Sequence, residues 1–417
     1  MIDGILPPRS RPANQSARPT TQLKSVAPKP AGFKSPEEVA AAESRNNTQL
    51  ASTRPLSRPL SKTSKPKRRL SRKQLILILI AALLLLISGS VAAFIVIKNR
   101  PVAAPVTARP QPPVAKKAAQ APVIYSTLSG LPTTEALNKL PVTAVVIENS
   151  REARPQSGLN QAGVVFEAIA EGGITRFMAL YQETQPEAIG PVRSVRPYYL
   201  NWMQAFDASI AHVGGSPEAL ALIKSAGLKD LDQYSNGSAY TRSKDRFAPH
   251  NVYTSRAKLL ELQASKGFTA SSYTGFVRKA EKPSAAPTAK SINLAISSTL
   301  YNVAYDYDSP TNSYKRLLAG QPHIDQVTKT QLNPKVVIGL VVPYAIQSNG
   351  LHSNYQTVGN GKAYIFQDGS VTEGVWEKSS PTSQIKFGDA NGLPLGLNAG
   401  QAWITAVSAA NKVTYKP

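Results

Sequence analysis

The sequence predicts an α/β (α+β) domain followed by a mostly β C-terminal domain, with a single transmembrane helix ahead of both. An uncharged run extends from Gln74 to Ile97, strand and helix patterns alternate over residues 124–278, and strand patterns separated by Asp-Gly and Asn-Gly turns fill residues 291–417. Strands interleaved with helices are typical of α/β domains. Turns of these two types connect antiparallel strands, which favours a β-rich C-terminal part.

Residues 1–73 form a basic segment that we expect to be disordered. They contain 16 Lys and Arg against 4 Asp and Glu, and they are rich in Pro, Ser, Asn and Gln. A segment of this composition buries too little apolar surface to offset the loss of chain entropy on folding. We therefore interpret residues 1–73 as a disordered cytoplasmic tail.

The run over residues 74–97 predicts a membrane-spanning helix. Its 24 residues reach about 36 Å as a helix, which is enough for a tilted span. A cleaved signal peptide is the alternative, but its apolar core has only about 7 to 15 residues. A basic cluster precedes the run and contains Lys62, Lys65, Lys67, Arg68, Arg69, Arg72 and Lys73.

The positive-inside rule then places the N-terminus in the cytoplasm. The predicted localisation is the bacterial cytoplasmic membrane, single-pass, with the C-terminal domains extracytoplasmic. The basic cluster predicts attraction to anionic membrane lipid. Nucleic-acid binding by the tail is the alternative interpretation, and we do not expect it.

Composition excludes several kinds of chemistry. The chain has no cysteine, which rules out disulfides, thiol catalysis, cysteine-ligated metals and a lipid-modified cysteine. No phosphate-binding loop, dinucleotide glycine motif or Gly-x-Ser-x-Gly elbow is present, and the histidine spacing does not match a metal site. We predict no cofactor and no metal. Residues 101–417 carry a net charge of +9, which favours anionic envelope polymers or lipid headgroups.

The part after residue 97 divides by composition. Residues 98–123 alternate Pro with Ala and Val and predict an extended stalk. We predict the α/β domain over residues 124–278, a linker over 279–290 and the β-rich domain over 291–417. Within the first domain, Ser216 and Ser255 are expected to cap helices, and Pro197 and Pro217 suit first helical positions.

A hairpin turning at Gly172 and Gly173 contains the first candidate site residues. Symmetric pairing about this turn places Arg176 opposite Ile169 and puts it on the same face as Glu167 and Glu171. Carboxylates buried beside an arginine are costly unless they are well paired, so such a set favours a functional site. A solvent-facing ladder of ion pairs is the alternative.

Further candidates follow along the chain. Arg193 and Arg196 precede a predicted helix, where an anion would stabilise them. His212 ends a strand just before Gly214, at a turn where open α/β sheets place their ligands, although a buried structural histidine explains it equally well. Arg246, His250 and Asn251 crowd one Pro-containing loop.

Several of these phrases together resemble a known family. The runs VVIENSREARPQSGLNQAGVVFEAIAEGGITRFMALYQ, IGPVRSVRPYYL, AHVGGSPEAL and RFAPHNVYTS are similar to those of the YerB-like bacterial envelope family, a domain of unknown function. The similarity covers residues 125–417. Many members of this family look like lipoproteins, whereas this chain has no cysteine. The resemblance implies an envelope location and a shared polar cluster, without an established reaction.

The sequence leads to two functional hypotheses. The first is an enzyme acting on peptidoglycan glycan strands, as a lytic transglycosylase or glycosidase. Glu171, or else Glu167, would be its single acid, because the two lie about 13 Å apart along one strand, too far for paired-carboxylate catalysis. Its substrate-binding residues would be Arg176, Arg193, Arg196, His212, Arg246, His250 and Asn251. The second is a non-catalytic envelope module that binds wall polymer or a partner protein.

Overall fold

This computed structural model describes residues 122–417 and, ahead of them, residues 73, 76, 77 and 79–84. Among the residues that it describes, no helix is long and apolar enough to cross a membrane. This finding corrects the predicted span over residues 74–97 and the single-pass localisation derived from it. The predicted tail and stalk lie outside the described residues, apart from residues 73, 122 and 123.

The centre of the fold is a nine-stranded mixed sheet. In sequence order its strands are β3 (Thr143–Glu148), β4 (Val164–Glu171), β5 (Ile174–Tyr181), β6 (Ser209–Ala211), β14 (Val336–Val341), β17 (Gly359–Gln367), β18 (Ser370–Lys378), β19 (Lys386–Gly388) and β21 (Ala402–Val407). Across the sheet they are arranged β19-β18-β17-β14-β21-β4-β5-β3-β6. Strand β21 runs parallel to both of its neighbours, β14 and β4.

A second sheet has five strands: β10 (Ser291–Leu294), β11 (Val303–Asp308), β12 (Ser313–Leu318), β13 (Gln321–Pro322) and β22 (Val413–Lys416). Across the sheet they are arranged β13-β12-β11-β10-β22. Four strand pairs lie outside these sheets: β1 (Ile124–Tyr125) with β2 (Pro132–Thr133), β7 (Thr241–Arg242) with β8 (Val252–Tyr253), β9 (Arg278–Lys279) with β20 (Leu397–Asn398), and β15 (Tyr344–Ile346) with β16 (Ser353–Tyr355).

The helices are short: α1 (Glu135–Asn138), α2 (Pro197–Met203), α3 (Pro217–Ser225) and α4 (Arg256–Ser265). The predicted caps are present, because Ser216 accepts from the amide of Ala219 and Ser255 accepts from the amide of Lys258. The described fold is therefore mostly β with few helices, which is less helical than the predicted α/β domain. The β-rich C-terminal part is confirmed.

The nine-stranded sheet is buried on both faces. On one face Phe166 stacks on Trp202 of α2, with ring centroids 5.0 Å apart. On the other face Phe177 and Trp403 meet edge-to-face in a core that includes the apolar side chains of β10 and β11. A sheet covered on both faces needs apolar runs in its central strands, and β14, next to the middle strand β21, has the run VVIGLV. The domain boundary at residues 279–290 remains a prediction, but β4 and β21, from either side of it, are neighbours in this sheet.

A buried ion pair joins the two sheets. Arg316 of β12 places Nη2 3.1 and 3.0 Å from the two carboxylate oxygens of Glu167, and neither side chain is exposed. Trp403 donates from Nε1 to Glu167 Oε2 at 3.0 Å. Arg316 Nε donates to His323 Nδ1, and His323 Nε2 lies 2.8 Å from Gln156 Oε1. Charged groups persist in an apolar interior when their hydrogen bonds are satisfied in this way.

Replacing Arg316 by Met should lower the free energy of unfolding by about 3–5 kcal/mol, because Glu167 would remain buried without its cation. The matched control is Lys315→Met, since Lys315 is the next residue and forms an exposed pair with Asp308. That control should cost at most about 1 kcal/mol. Urea unfolding followed by tryptophan fluorescence measures both, and equal losses would contradict a special role for the buried pair.

His323 makes stability depend on pH. Burial, reinforced by the charge of Arg316, lowers the pKa of His323 well below its usual value of 6.5. Near pH 6.5 this histidine binds a proton in the unfolded chain but not in the folded protein. The contribution of neutral His323 to the free energy of unfolding is therefore complete above pH 6.5 and is lost as the pH falls below it. Below pH 6.5, each further unit of acidification should lower the free energy of unfolding of the wild type by up to about 1.4 kcal/mol more than that of His323→Asn.

Asparagine keeps an acceptor for Arg316 Nε and does not titrate, which makes it the informative replacement. His352→Asn, at a partly exposed position, is the control for the loss of a histidine. Denaturant unfolding between pH 5 and 7.5 provides the slopes. The assignment fails if the His323 variant and the wild type lose stability in parallel.

Candidate functional site

The register of the β4–β5 hairpin differs from the symmetric prediction by one residue. Arg176 lies opposite Ala168, and Ile169 lies opposite Thr175, because a β-bulge at Ala170 interrupts the pairing before Glu171. Gly172 and Gly173 turn the chain with φ of +55° and +78°. A one-residue shift moves every following side chain to the other face of the sheet.

The shift separates the two predicted acids. Glu167 faces the five-stranded sheet and is fully buried in its pair with Arg316, so it is not accessible to a substrate. Glu171 lies beyond the bulge and contacts Arg176 and Arg196 through opposite carboxylate oxygens. The predicted shared face of Glu167, Glu171 and Arg176 is therefore wrong, and of these two acids only Glu171 contacts Arg176 and Arg196.

Glu171 also lacks the property that an acid catalyst requires. Burial favours its neutral form, but Arg176 and Arg196 outweigh this effect, so the pKa of Glu171 lies below its usual value. A general acid at neutral pH needs a raised pKa. The geometry therefore gives Glu171 the role of a paired carboxylate.

A carboxylate that the sequence analysis missed joins the other predicted residues. Glu148 ends β3, and its Oε1 atom lies 3.2 Å from Arg193 Nε and 3.0 Å from His250 Nδ1. Arg176 is its cross-strand neighbour on β5. We call the set Glu148, Glu171, Arg176, Arg193, Arg196 and His250 the arginine cluster. The signal in the sequence was a single Glu at the end of the apolar run TAVVI.

Local structure holds the arginines of this cluster. The segment that carries Arg193 and Arg196 is tied to β3 by the amide of Arg193, which donates to Val146 O, and to the loop after β6 by the amide of Val195, which donates to Gly214 O. Arg176 Nη1 donates to Ser194 O at 2.9 Å. The cluster thus lies where the carboxyl ends of the parallel strands β3 and β6 meet, an edge at which α/β sheets place their ligands.

Several buried polar atoms in the cluster have no partner. In the part of the chain that the structure describes, ten buried side-chain nitrogen and oxygen atoms make no hydrogen bond, and four belong to the cluster: Glu148 Oε2 and the Nε atoms of Arg176, Arg193 and Arg196. Arg193 Nε is close to Glu148 but not aligned for a hydrogen bond. Unsatisfied buried groups are costly, so their concentration here indicates a place for a ligand or ordered water.

His250 and Glu148 form a carboxylate–imidazole pair. A carboxylate accepts hydrogen bonds, so His250 Nδ1 donates to Glu148, and Nε2 is the ring atom available to a ligand. Ser150 Oγ lies 3.3 Å from the same Nδ1. Arg193 and His250 each keep about a fifth of the side chain exposed, whereas Glu148 is almost fully covered. The pair can accept or deliver a proton beside a guanidinium group.

The other predicted residues have structural contacts. His212 is fully buried, with Nδ1 2.7 Å from Gly214 O and Nε2 2.9 Å from Asp230 Oδ1. Arg246 donates to the carbonyl oxygens of Glu152 and Pro155. Asn251 accepts from Arg242 Nη1 at 2.9 Å. The structure therefore brings Glu171, Arg176, Arg193, Arg196 and His250 together, and it places Glu167, His212, Arg246 and Asn251 outside the cluster.

A large groove lies elsewhere. Its volume is about 930 Å³, and its lining includes Gln204, Asp207, Phe276, Glu377 and Lys386. No residue of the arginine cluster lines it, and none of its lining residues has a buried side-chain atom without a hydrogen-bond partner. The unpartnered buried atoms favour the arginine cluster over the groove, and we take the cluster as the candidate site.

Comparison with known proteins identifies the family. Residues 128–269 match the N-terminal domain, and residues 292–404 the C-terminal domain, of a family described as "Protein of unknown function (DUF3048)". The "Putative lipoprotein YerB" of Bacillus subtilis is 31% identical over 285 residues, which cover 67% of this chain and 85% of that protein. The crystal structure of YerB from Bacillus subtilis superposes with a TM-score of 0.65 at 28% identity, covering 70% of this chain and all of the other. The chain therefore belongs to the YerB-like DUF3048 family.

Proposed function

We propose that this protein works in the cell envelope and binds an acidic envelope polymer, with peptidoglycan as the expected ligand, through the arginine cluster. The observation that carries the proposal is the concentration of buried polar atoms without partners around Arg193. Three arginines against two glutamates leave a net positive charge before His250 is counted. Such a cluster favours an anionic group.

Two further facts support an envelope polymer. The similar protein from Bacillus subtilis is named a "Putative lipoprotein", and bacterial lipoproteins are proteins of the cell envelope. Residues 101–417 of this chain have a net charge of +9, and a basic surface raises the local concentration of an anionic polymer. The lactyl and peptide carboxylates of peptidoglycan are acidic groups of the kind that guanidinium pairs with best.

Arg193→Gln should weaken binding of the full chain to purified peptidoglycan by about tenfold or more, because a charge-assisted hydrogen bond contributes roughly 1.5–3 kcal/mol. Lys412→Gln is the control, since it removes the same charge from an exposed position next to β22 of the five-stranded sheet, outside both the arginine cluster and the groove. Co-sedimentation across a series of polymer concentrations measures both. Equal weakening by the two variants would mean that only net charge matters, and this would contradict the proposal.

One observation favours a second function, cleavage of the glycan strands. Glu148 Oε2 is buried and unpartnered beside His250, so these two side chains, and not Glu171, would exchange the proton with the glycosidic oxygen. In a lytic transglycosylase a hydroxyl of the sugar then closes a ring, whereas in a glycosidase water is added. The arginines would hold the acidic groups of the substrate in either case.

For cleavage, the full wild-type chain incubated with intact peptidoglycan should release soluble fragments, and Glu148→Gln should release at least 100-fold fewer, in line with the contribution of general acid–base catalysis. Mass spectrometry distinguishes anhydro ends, which mean transglycosylation, from water-added ends, which mean hydrolysis. Glu373→Gln, which changes an exposed pair with Lys362, is the control. Absence of fragments from a folded wild type would leave binding alone as the function.

A further inference from the structure

The contacts of Glu171 are those of a bound ligand. Its two carboxylate oxygens are divided between two guanidinium groups, one to Arg176 Nη2 and the other to Arg196 Nη2. The side chain of Glu171 is 23% exposed, whereas those of Arg176 and Arg196 are 3% and 6% exposed. The carboxylate therefore covers the arginines on the solvent side.

Each of the two arginines also has a hydrogen bond that does not involve Glu171. Arg176 Nη1 donates to Ser194 O at 2.9 Å, and Arg196 Nη1 donates to Val195 O at 2.8 Å. Those two carbonyls belong to a segment that backbone hydrogen bonds fix to β3 and to the loop after β6. Removal of the Glu171 carboxylate would thus leave a preformed pair of guanidinium groups with no anion.

Glu171 accepts hydrogen bonds from only some of the N–H donors of Arg176 and Arg196. In each guanidinium, Nε and Nη2 form one edge with two parallel N–H donors, which matches the two oxygens of a carboxylate. Glu171 takes the Nη2 donor of each arginine, while both Nε atoms are buried without a partner. A ligand carboxylate that approaches one such edge can satisfy two donors at once.

We propose that the Arg176–Arg196 pair is a carboxylate-binding site that Glu171 occupies in the free protein, and that an acidic group of the ligand binds by displacing Glu171. This inference rests on the proposed function for the nature of the polymer. Displacement requires only rotation about the side-chain bonds of Glu171. Its backbone stays at the hairpin turn, where the amide of Gly172 donates to Leu351 O.

A displaceable Glu171 and a purely structural ion pair predict different effects of Glu171→Gln on acetate affinity. Glu171→Gln keeps the shape of the side chain but removes the competing charge. Acetate should therefore bind the full-length Glu171→Gln chain at least about tenfold more tightly than it binds the wild type, because the competent state no longer has to be freed. Isothermal titration calorimetry with sodium acetate, at an ionic strength held constant with sodium chloride, measures the two affinities.

Two comparisons make the test specific. The double variant Glu171→Gln with Arg196→Gln should lose the gain, because one of the two guanidinium groups is missing. Acetamide, a neutral compound of nearly the same shape as acetate, should not bind Glu171→Gln measurably, since the two guanidinium groups pair with an anion. Equal acetate affinity in Glu171→Gln and wild type, retention of the gain in the double variant, or equal binding of acetamide and acetate would each overturn the proposal.

Two outcomes need separate treatment. If Glu171→Gln does not fold, Glu171→Asp keeps the charge but is too short to bridge both arginines, and it should bind acetate more tightly than the wild type. An unchanged affinity in that variant overturns the proposal. Failure of the proposed function would be a different result, namely no binding of the wild type to peptidoglycan. Tighter acetate binding by Glu171→Gln would still support the carboxylate-binding site in that case.

Discussion

The pairing of Glu167 with Arg316 is the interaction on which the rest of this structure depends. Two full charges lie in an interior from which water is excluded, and the cost of desolvating them is large unless every remaining donor and acceptor finds a partner. Trp403, Tyr305 and His323 supply those partners. Each comes from a strand or loop that must therefore be in place before the pair is satisfied.

The hydrogen bonds around Glu167 and Arg316 extend to Glu148 of the arginine cluster. His323 contacts Gln156, and Gln156 Nε2 donates to the backbone carbonyl of Glu148 at 3.0 Å. The carbonyl of Glu148 thus ends a chain of polar contacts on one side of the sheet, while its carboxylate contacts Arg193 and His250 on the other. Packing between the two sheets fixes the strand that presents the arginine cluster, which is the arrangement that preorganised binding requires.

Short-range features of the fold could be predicted from the sequence. The helices at Pro217 and Arg256 begin at the serine caps expected of them, and the hairpin turns at its two glycines. These features depend on residues a few positions apart, where local chemistry decides. The partners of Glu167 could not be predicted in this way, because Arg316 lies 149 residues away along the chain. Local sequence patterns do not identify which distant strands become neighbours.

The candidate site was predictable in part for a related reason. Glu171 and Arg176 flank the turn at Gly172 and Gly173, so the hairpin predicted that they lie near each other. For Arg196 the sequence indicated only that an anion would stabilise it. The bulge at Ala170 was not predictable, because alanine has no conformational signature there, and this one residue decided which glutamate meets the arginines. Glu148 was missed because a single acid at a strand end has no pattern around it.

The position of β21 has a consequence for how the chain is made. This strand is inserted between β4 and β14 in the middle of the nine-stranded sheet, yet it is one of the last strands in the sequence. Until β21 has been synthesised, β4 and β14 each have one edge without a neighbouring strand. Unpaired strand edges of this kind readily pair with other chains. Formation of the central sheet therefore requires residues 402–407, so a chain released before residue 402 would expose both edges and be prone to aggregation.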